Sequence, residues 1–557
     1  MAGENAGMDD LRALAEGWLA DDPDPASRAE LQGVLDDLPG STSDLADRFA
    51  GPLCFGTAGL RGPMRAGPNG MNLAVVTRAA AGLVRWLRER DGHRPLVIGY
   101  DARHQSRAFA EQTARVAAGA GRRALLLPRA LPTPVLAYAV RRLDAGAGVM
   151  VTASHNPPAD NGYKVYLGAG LGGPGGDGAQ IVPPADAEIE AAIRAVGPLS
   201  DVSLGGDYAT LDDAIVESYV AHAIEVLDPS QVDEAHRGDL VVAYTPLHGV
   251  GAPVLVDAFA RAGFAPPVTV PEQAEPNPDF PTVTFPNPEE PGAMDLVLRL
   301  AQDTRADIAI ANDPDADRCA VAIATSTGWR LLRGDEVGVL LADHLMRRGV
   351  AGCYATTIVS SSMLHAMTTA RGVDYAETLT GFKWIVRADP ARLVYGYEEA
   401  LGYCVAPHHV RDKDGITAAL LVAELAAGLK AELRTLGDRL DDLAREFGVY
   451  ATDQISLRVT NLSTIDEIME LLRTKPPASL LDEPITAIED RAPDADVVTV
   501  RTPTARLVAR PSGTEPKLKI YLEVIESVPD GHVPSARERA GASISALRTE
   551  VLAALDL

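Results

Sequence analysis

Past residue 90 the chain alternates bare apolar runs with stretches of helical periodicity. "PLVIGYD" (95–101), "RALLLP" (123–128) and "AGVMVTA" (147–153) are runs of the kind shown by strands buried on both faces, and a helical pattern over 105–119 separates the first two. This alternation predicts a parallel α/β sheet. Val216, Tyr219, Val220, Ala223 and Leu227 then recur at helical spacing before "DLVVAYTPLHG" starts a strand, so a second α/β unit opens near 211 and a third near 331. A long helical stretch is expected from Ile416 to Phe447, with Gly448 as its stop, followed by strand alternation in "DQISLRVT". The expected division is a helical extension over 1–50 packed on the first domain, α/β domains over 51–210, 211–330 and 331–447, and a shorter, more strand-rich domain over 448–557.

Four of the predicted strands run straight into a polar loop bearing Gly or Pro: "VMVTASHNP", "IAIANDPDADR", "LVYGYEEALG" and "RLVARPSGTEP". Ligands of α/β sheets bind beyond the carboxyl ends of strands, where unpaired N–H groups face outward. One such loop per domain predicts a single site assembled from four domains.

Composition bounds what that site can take. With 557 residues the chain exceeds one hydrophobic core, and 46% hydrophobic against 23% charged residues is the balance of a globular protein. A formal net charge of −26 repels nucleic acid and anionic membranes, so a cleft for an anionic substrate must be locally basic. Cys54, Cys319, Cys353 and Cys404 form no CxxC pair, which fits a reducing cytoplasm better than a disulfide framework or zinc knuckle. The acidic N-terminus lacks the pattern of a signal peptide, and no run approaches 18 apolar residues, so no membrane segment is expected.

The chemistry of the loops is specific. In "NDPDADR", Asp313, Asp315 and Asp317 alternate, so an extended turn can converge their carboxylates on one point. Unit charges about 4 Å apart repel by roughly 1 kcal/mol in water and about 4 kcal/mol in a partly buried site, which calls for a cation. An EF-hand would need Gly and Glu where the chain has Arg318 and Ala324. Oxygen-only ligands favour Mg²⁺, which characteristically shares its shell with a phosphate. Ser154 does not sit in the G-x-S-x-G elbow of a serine hydrolase, and alone beside His155 it reads as a turn residue. The strand before it, the prolines after it and Lys164 nearby point to a reactive hydroxyl instead. "RPSGTEPKLK" gathers Arg510, Ser512, Gly513, Thr514, Lys517 and Lys519, a set suited to a phosphate dianion or to a plain surface turn. Glu398 and Glu399 offer acceptors for sugar hydroxyls or form an ordinary acidic loop, and Arg61 in "FGTAGLRG" lies between glycines that permit close approach. "GAGLGG" (168–173) has the GxGxxG spacing, but Pro174 follows it rather than a helix, so it reads as a flexible hairpin tip.

Together "TASHNP", "DPDADR", "GYEEALG" and "RPSGTEP", in this order, resemble the signature loops of the α-D-phosphohexomutases, the phosphoglucomutase/phosphomannomutase family, from about residue 50 onward. The resemblance implies a heart-shaped molecule of three α/β domains and a smaller C-terminal α+β domain around a central cleft. It implies a phosphosugar mutase that moves a phosphoryl group between the 1- and 6-positions of mannose or glucose through a phosphoserine and a bisphosphosugar such as glucose 1,6-bisphosphate. Ser154 would be the phosphoserine, and Asp313, Asp315 and Asp317 would hold Mg²⁺ with one of its oxygens, Arg318 closing the loop. Arg61, Lys164 and His155 would serve the transferred group. Glu398 and Glu399 would meet the sugar, Arg510, Ser512, Gly513 and Thr514 its other phosphate, and Lys383 and Lys413 the cleft. Many of these enzymes carry serine where this chain has Ala400, and the "EEALGY" and "KDG" wording is similar to the branch with phosphopentomutases and sugar-bisphosphate synthases. A metal-dependent sugar phosphatase is a further alternative. The expected partner is a phosphosugar alone, with the chain a monomer or homodimer.

Overall fold

The computed structural model describes residues 2–55, 59–459, 463–511 and 517–555. Helices Ala2–Asp21, Pro25–Asp36 and Thr42–Arg48 form the N-terminal extension, which closes its own small core of Ala15, Leu31, Leu35 and Leu45 on Ala66. It is fastened there by Arg48, which donates to the Ala66 carbonyl at 3.2 Å, and by Glu30, which accepts from the Ala66 amide at 3.2 Å.

The first large sheet runs Leu60–Pro63, Asp160–Leu167, Ala147–Val151, Leu96–Tyr100, Ala124–Leu126, Ala209–Thr210. Its strands obey the two-residue period. Leu96 and Ile98 pack with helices Leu73–Arg90 and Ser106–Gly119 on one face, and Val97 packs with helix Thr133–Arg142 on the other. The sheet is mixed and not purely parallel. Asp160–Leu167 turns back against Ala147–Val151, and Leu60–Pro63 pairs antiparallel on its far side. No crossover helix separates the serine loop from the strand after it, so a hairpin return is the short solution. That return puts Arg61, opposite Gly162, and Lys164, opposite Met150, on neighbouring strands.

The second sheet runs Gly328–Leu331, Ala320–Thr325, Ile308–Ala311, Val242–Thr245, Val268–Thr269, and the third Asp374–Thr378, Cys353–Thr357, Leu393–Glu398, Gly402–Cys404. The first three sheets share one continuous apolar core, into which helix Gly415–Ala431 is sunk on almost every side. An all-round apolar sequence such as "GITAALLVAEL" is what such a position requires. Its one buried acid, Glu424, is satisfied by His344 Nε2 at 2.8 Å, Arg348 Nη1 at 3.0 Å and the Asp228 amide at 2.7 Å.

The helical stretch expected over 416–447 consists of two helices, Gly415–Ala431 and Leu436–Phe447. The break is local chemistry. Thr435 caps the Asp438 amide while the Asp438 carboxylate accepts from the Thr435 amide, and Leu433 takes the left-handed turn between the helices at φ 58°. Gly448 ends the second helix at φ 97°.

The fourth sheet, Val449–Arg458, Lys517–Glu526, Ala505–Pro511, Val498–Arg501, Ala487–Asp490, is antiparallel throughout. Helices Ser463–Thr474 and Val533–Ala554 cover it in a separate core. Among the described residues no helix is long and apolar enough to cross a membrane.

Candidate active site

The serine loop leaves strand Ala147–Val151 through Thr152, whose hydroxyl accepts from the Ser154 amide at 2.9 Å and donates to Asp101 Oδ2 at 2.7 Å. Ser154 sits at φ 52°, a conformation a non-glycine residue holds only where its surroundings over-determine it. The over-determining group is Arg103. Its guanidinium donates to the carbonyls of Ser154 (2.7 Å), Asn156 (2.6 Å), Pro157 (2.7 Å) and Asp160 (3.2 Å).

The aspartate loop leaves strand Ile308–Ala311. Asp313, Asp315 and Asp317 are fully buried, and one oxygen of each lies within 4.8 Å of the others. Ala316, at φ 52°, turns the loop so that alternate side chains point one way. Neighbours from the first and second domains hold it: Thr133 donates from its amide to Asp315 O at 2.9 Å and from its hydroxyl to Asp315 Oδ2 at 2.7 Å, Val250 N donates to Pro314 O at 2.9 Å, and Asn312 Nδ2 donates to Arg318 O at 2.6 Å. Gly249 and Gly415 are needed for closeness. A Cβ on Gly249 would lie 2.3 Å from Pro314 Cα, and one on Gly415 would lie 2.2 Å from Arg318 O.

These loops converge. Ser154 Oγ donates to Asp313 Oδ2 at 2.6 Å, and His155 Nδ1 stands 3.2 Å from the same Oγ. Lys164 Nζ bridges Asp315 Oδ2 (2.8 Å) and Asp317 Oδ2 (3.0 Å), and Lys413 Nζ reaches Asp317 Oδ2 at 3.2 Å. Arg318 Nε lies 3.9 Å from Asp313 and 4.0 Å from Asp317. Arg61 donates to Asn156 Oδ1 at 2.9 Å, and Asp315 and Asp317 lie close enough to act on its charge.

Burial and charge set the protonation states. Burial, with the charges of Asp315 and Asp317, pushes Asp313 well above the carboxylate range, whereas at Asp315 the burial cost is overcome by Lys164, which holds the group ionised. Burial, with Arg318 and Arg61 nearby, keeps the His155 imidazole neutral. Burial works against the Lys164 ammonium, but Asp315 and Asp317 outweigh it and raise its pKa.

The third loop places Glu398 at the end of strand Leu393–Glu398, paired opposite Gly402, one residue inside the strand rather than in the loop proper. Burial, partly offset by Lys413, pushes its carboxyl up to about 7. Glu399 Oε2 is held by Ser360 Oγ at 3.1 Å and Thr357 Oγ1 at 3.3 Å. Lys383, on the short helix Phe382–Ile385, is not brought to the carboxylates. Its Nζ stacks 5.7 Å from the Trp384 ring, and the next residue back, Phe382, carries the Lys413 ammonium 5.6 Å from its ring. Arg510 lies opposite Lys519 on the fourth sheet, beside Tyr521. Ser512, Gly513 and Thr514 lie outside the described residues.

Whether the aspartates suit a cation is answered by their second oxygens. Asp315 Oδ1 and Asp317 Oδ1 are buried with no hydrogen-bond partner among the described residues. An unpaired buried carboxylate oxygen is costly, and an all-oxygen cluster of this size suits a hard divalent ion. The residues fit such a group.

Sequence models of four consecutive domains match the chain: phosphoglucomutase/phosphomannomutase α/β/α domain I over residues 52–198, domain II over 217–328, domain III over 333–447 and the C-terminal domain over 455–528. The chain belongs to this family. It is 45% identical over 464 residues to the "Probable phosphomannomutase" of Haemophilus influenzae, covering 82% of this chain and 93% of that one. It is 33% identical over 591 residues to the phosphopentomutase of Mus musculus, covering 94% and 92%. The phosphoglucomutase fold of Paramecium pp63/parafusin superposes with a TM-score of 0.71 at 19% identity over 90% of this chain and 94% of that one, which shows a shared architecture.

Sequence reasoning passed over several of the residues that build this mutase-family site. Arg103 and Asp101 in "YDARH" follow a strand end just as the four chosen loops do, so the same signal was available. Thr133, Gly249 and Gly415 carry no such signal, because only the packing of another domain gives them a role.

Proposed function

We propose that the chain is a phosphosugar mutase that interconverts 1- and 6-phosphates of mannose and/or glucose through phosphorylated Ser154 and a bisphosphosugar. In this reading the extension over 1–50 and the domains over 51–210, 211–330, 331–447 and 448–557 supply one loop each to a shared cleft, the extension excepted. The observation that carries the reading is the 2.6 Å contact of Ser154 Oγ with a buried aspartate of a triad that has two orphaned oxygens.

Asp313, Asp315 and Asp317, with an oxygen on Ser154, would hold Mg²⁺. Bound there, the ion would neutralise the carboxylates and the phosphate's roughly −1.5 to −2 charges. The chain's own groups do the rest. Transfer breaks the bond from phosphorus to Ser154 Oγ and forms one to the sugar hydroxyl oxygen, whose proton must leave. His155, kept neutral within 3.2 Å of Oγ, can take up the proton that the sugar hydroxyl releases and give one to the departing Ser154 Oγ, so the transfer leaves a neutral serine and no net proton. Lys164, kept charged, and Arg61, on the adjacent strand, supply fixed positive charge to the equatorial oxygens of a loose transition state. Glu398 and Glu399 accept from sugar hydroxyls. Arg510 and the loop after it take the phosphate that does not react, so the bisphosphosugar must turn end for end between two transfers. Ser154→Ala should abolish interconversion of glucose 1-phosphate and glucose 6-phosphate, and undiminished turnover would refute the role of the serine.

A second reading, phosphopentomutase or sugar-bisphosphate synthase, is favoured by Ala400, which removes a hydroxyl from the sugar loop, and by relatives named phosphopentomutase that align over 94% of the chain. Rates on mannose, glucose, ribose and deoxyribose phosphates decide between them, with pentose preference overturning the first. Phosphate release in excess of isomerised sugar would instead favour a phosphatase.

A further inference from the structure

The glycine-rich connection 168–178 plays no part in the site above. It joins the antiparallel strands Asp160–Leu167 and Ala179–Gln180, yet it is not a free tip. A Cβ on Gly175 would start 3.1 Å from Arg411 Nη1 and 3.3 Å from Arg387 Cα, one on Gly176 would lie 2.5 Å from Arg387 Nη2, and one on Gly178 would lie 2.4 Å from Arg141 Cγ. Glycine at these positions lets three arginines, from the first and third sheets' domains, close on one stretch of backbone.

The charge they bring together is nearly uncompensated. Arg387 donates to the carbonyls of Lys383 (2.6 Å), Gly172 (3.2 Å) and Gln180 (3.0 Å), Arg411 to Pro390 (3.3 Å), and Arg141 to Pro407 (3.1 Å) and His408 (2.6 Å), all of them neutral acceptors. Among the described residues their one carboxylate partner is Asp177, 3.6 Å from Arg141 Nε with its side chain 41% exposed. The Nε groups of Arg387 and Arg411 are buried without a hydrogen-bond partner among the described residues, and that of Arg141 has only the long ion pair to Asp177. The amides of Gly175 and Asp177 donate no hydrogen bond among the described residues either. Burial and the nearby Arg411 push the Arg387 guanidinium down to about 10. The three residues are half-buried, and in a chain of net charge −26 the carbonyls around them do not offset clustered guanidinium charge. Planar forks with free donors, beside unpaired amides on a glycine backbone, match the oxygens of a phosphate.

We propose that loop 168–178 with Arg141, Arg387 and Arg411 forms a second site, sharing no side chain with the aspartate centre, for a small phosphate-bearing anion. Inorganic phosphate and a phosphorylated sugar present the same oxygens, so both are tested. The full-length Arg510→Gln protein, which lacks one cation of the loop assigned to the substrate's phosphate, is titrated calorimetrically with inorganic phosphate in magnesium-free buffer. It should bind phosphate, more weakly as salt is added, and adding Arg411→Gln should weaken binding at least about tenfold, the loss of one charge-assisted contact. Parallel titration with glucose 6-phosphate identifies the source as sugar phosphate if it binds tighter and as free phosphate if it does not. Absence of phosphate binding to Arg510→Gln, or equal binding after Arg411→Gln, overturns the site and leaves the arginines as a clamp between domains. If Arg411→Gln melts at a lower temperature than its parent, Arg141→Gln is read in its place. Arg411→Gln alone should turn over sugar phosphate normally in phosphate-free buffer. The mutase reading fails by a different result, persistence of turnover in Ser154→Ala.

Discussion

Ser154 Oγ donates to Asp313 Oδ2 at 2.6 Å, although 159 residues separate them and they leave different sheets. Both stand on left-handed turns within their loops, Ser154 itself at φ 52° and Ala316 in the aspartate loop at φ 52°. Two strained loops that meet so closely are held from outside, by Arg103 on one side and by Thr133 and Val250 on the other. The contact therefore reports preorganisation, and it makes the site's demands on each partner specific.

The first demand is a cation. Removing divalent metal with a chelator should stop phosphoryl transfer, and Mg²⁺ should restore it. Asp317→Asn, which removes charge from an oxygen shared with Lys164 and Lys413, should lower the Mg²⁺-dependent rate on the order of a hundredfold in initial-rate assays. A wild-type rate in chelator would show that the triad serves structure only.

The second demand is the Arg103 staple. Arg103 and Asp101 are each 1% exposed and 3.5 Å apart, so truncating the arginine strands a buried carboxylate and frees four carbonyls. Arg103→Ala should cost about 3 kcal/mol in urea unfolding of the domain that holds it, and mutase activity should fall with it. Arg103→Lys should rescue little, because one ammonium cannot fork to four acceptors.

How far the sequence carried the fold and the site follows from the same contacts. The four loops were legible because each breaks a bare apolar run with residues that strands avoid, as Asp313 does after "DIAIA". The split at Thr435 was not, because "LKAELRTLGDRLDDL" keeps helical periodicity through the break, and only the reciprocal Thr435–Asp438 cap ends one helix and starts the next. The mixed order of the first sheet was missed because a hairpin return and a parallel crossover begin with the same apolar strand. Around the short helix that holds Lys383, Phe382 meets the Lys413 ammonium while Lys383 Nζ lies against Trp384, a division that spacing alone does not show.

A pH dependence of stability follows from Asp335, which is remote from the carboxylate triad. Burial pushes its carboxyl from the ordinary 3.8 up to about 7, Glu399 and Glu523 add to the rise, and the Ser361 amide at 2.7 Å and Arg506 oppose it. The folded chain thus holds a proton between about pH 4 and pH 7 that the unfolded chain has released. Its contribution to stability is full below that window and is lost as pH rises through it, at a cost of up to about 4 kcal/mol above pH 7. Asp335→Asn keeps an acceptor for Ser361 and removes the charge. It should melt higher than wild type at pH 8 by a margin that shrinks steadily toward pH 4, and an unchanged margin across that range would sink the argument.

Docking of the fourth domain bears on the sugar loop through a traceable set of bonds. Glu523 accepts from Ser362 N at 2.8 Å and Ser362 Oγ at 2.7 Å, and pairs with Arg506 at 3.2 Å. Arg506 in turn donates to the Ser360 carbonyl, and Ser360 Oγ donates to Glu399 Oε2 at 3.1 Å and accepts from the Glu399 amide at 3.2 Å. Segment 358–362 is thus gripped from the fourth domain while the Ser360 hydroxyl sets the Glu399 carboxylate, which the proposed function assigns to the sugar. Ser360→Ala leaves the grip intact and leaves the Glu399 carboxylate held only by Thr357 among the described residues, so KM for the sugar phosphate should rise several-fold with kcat little changed, the loss of one charge-assisted bond used equally in ground and transition states. Arg506→Ala breaks the grip itself and leaves Glu523 buried and unpaired, so it should lower the melting temperature and reduce kcat and KM performance together. If Ser360→Ala instead lowers kcat with KM unchanged, Glu399 serves the transferring phosphoryl group rather than the sugar.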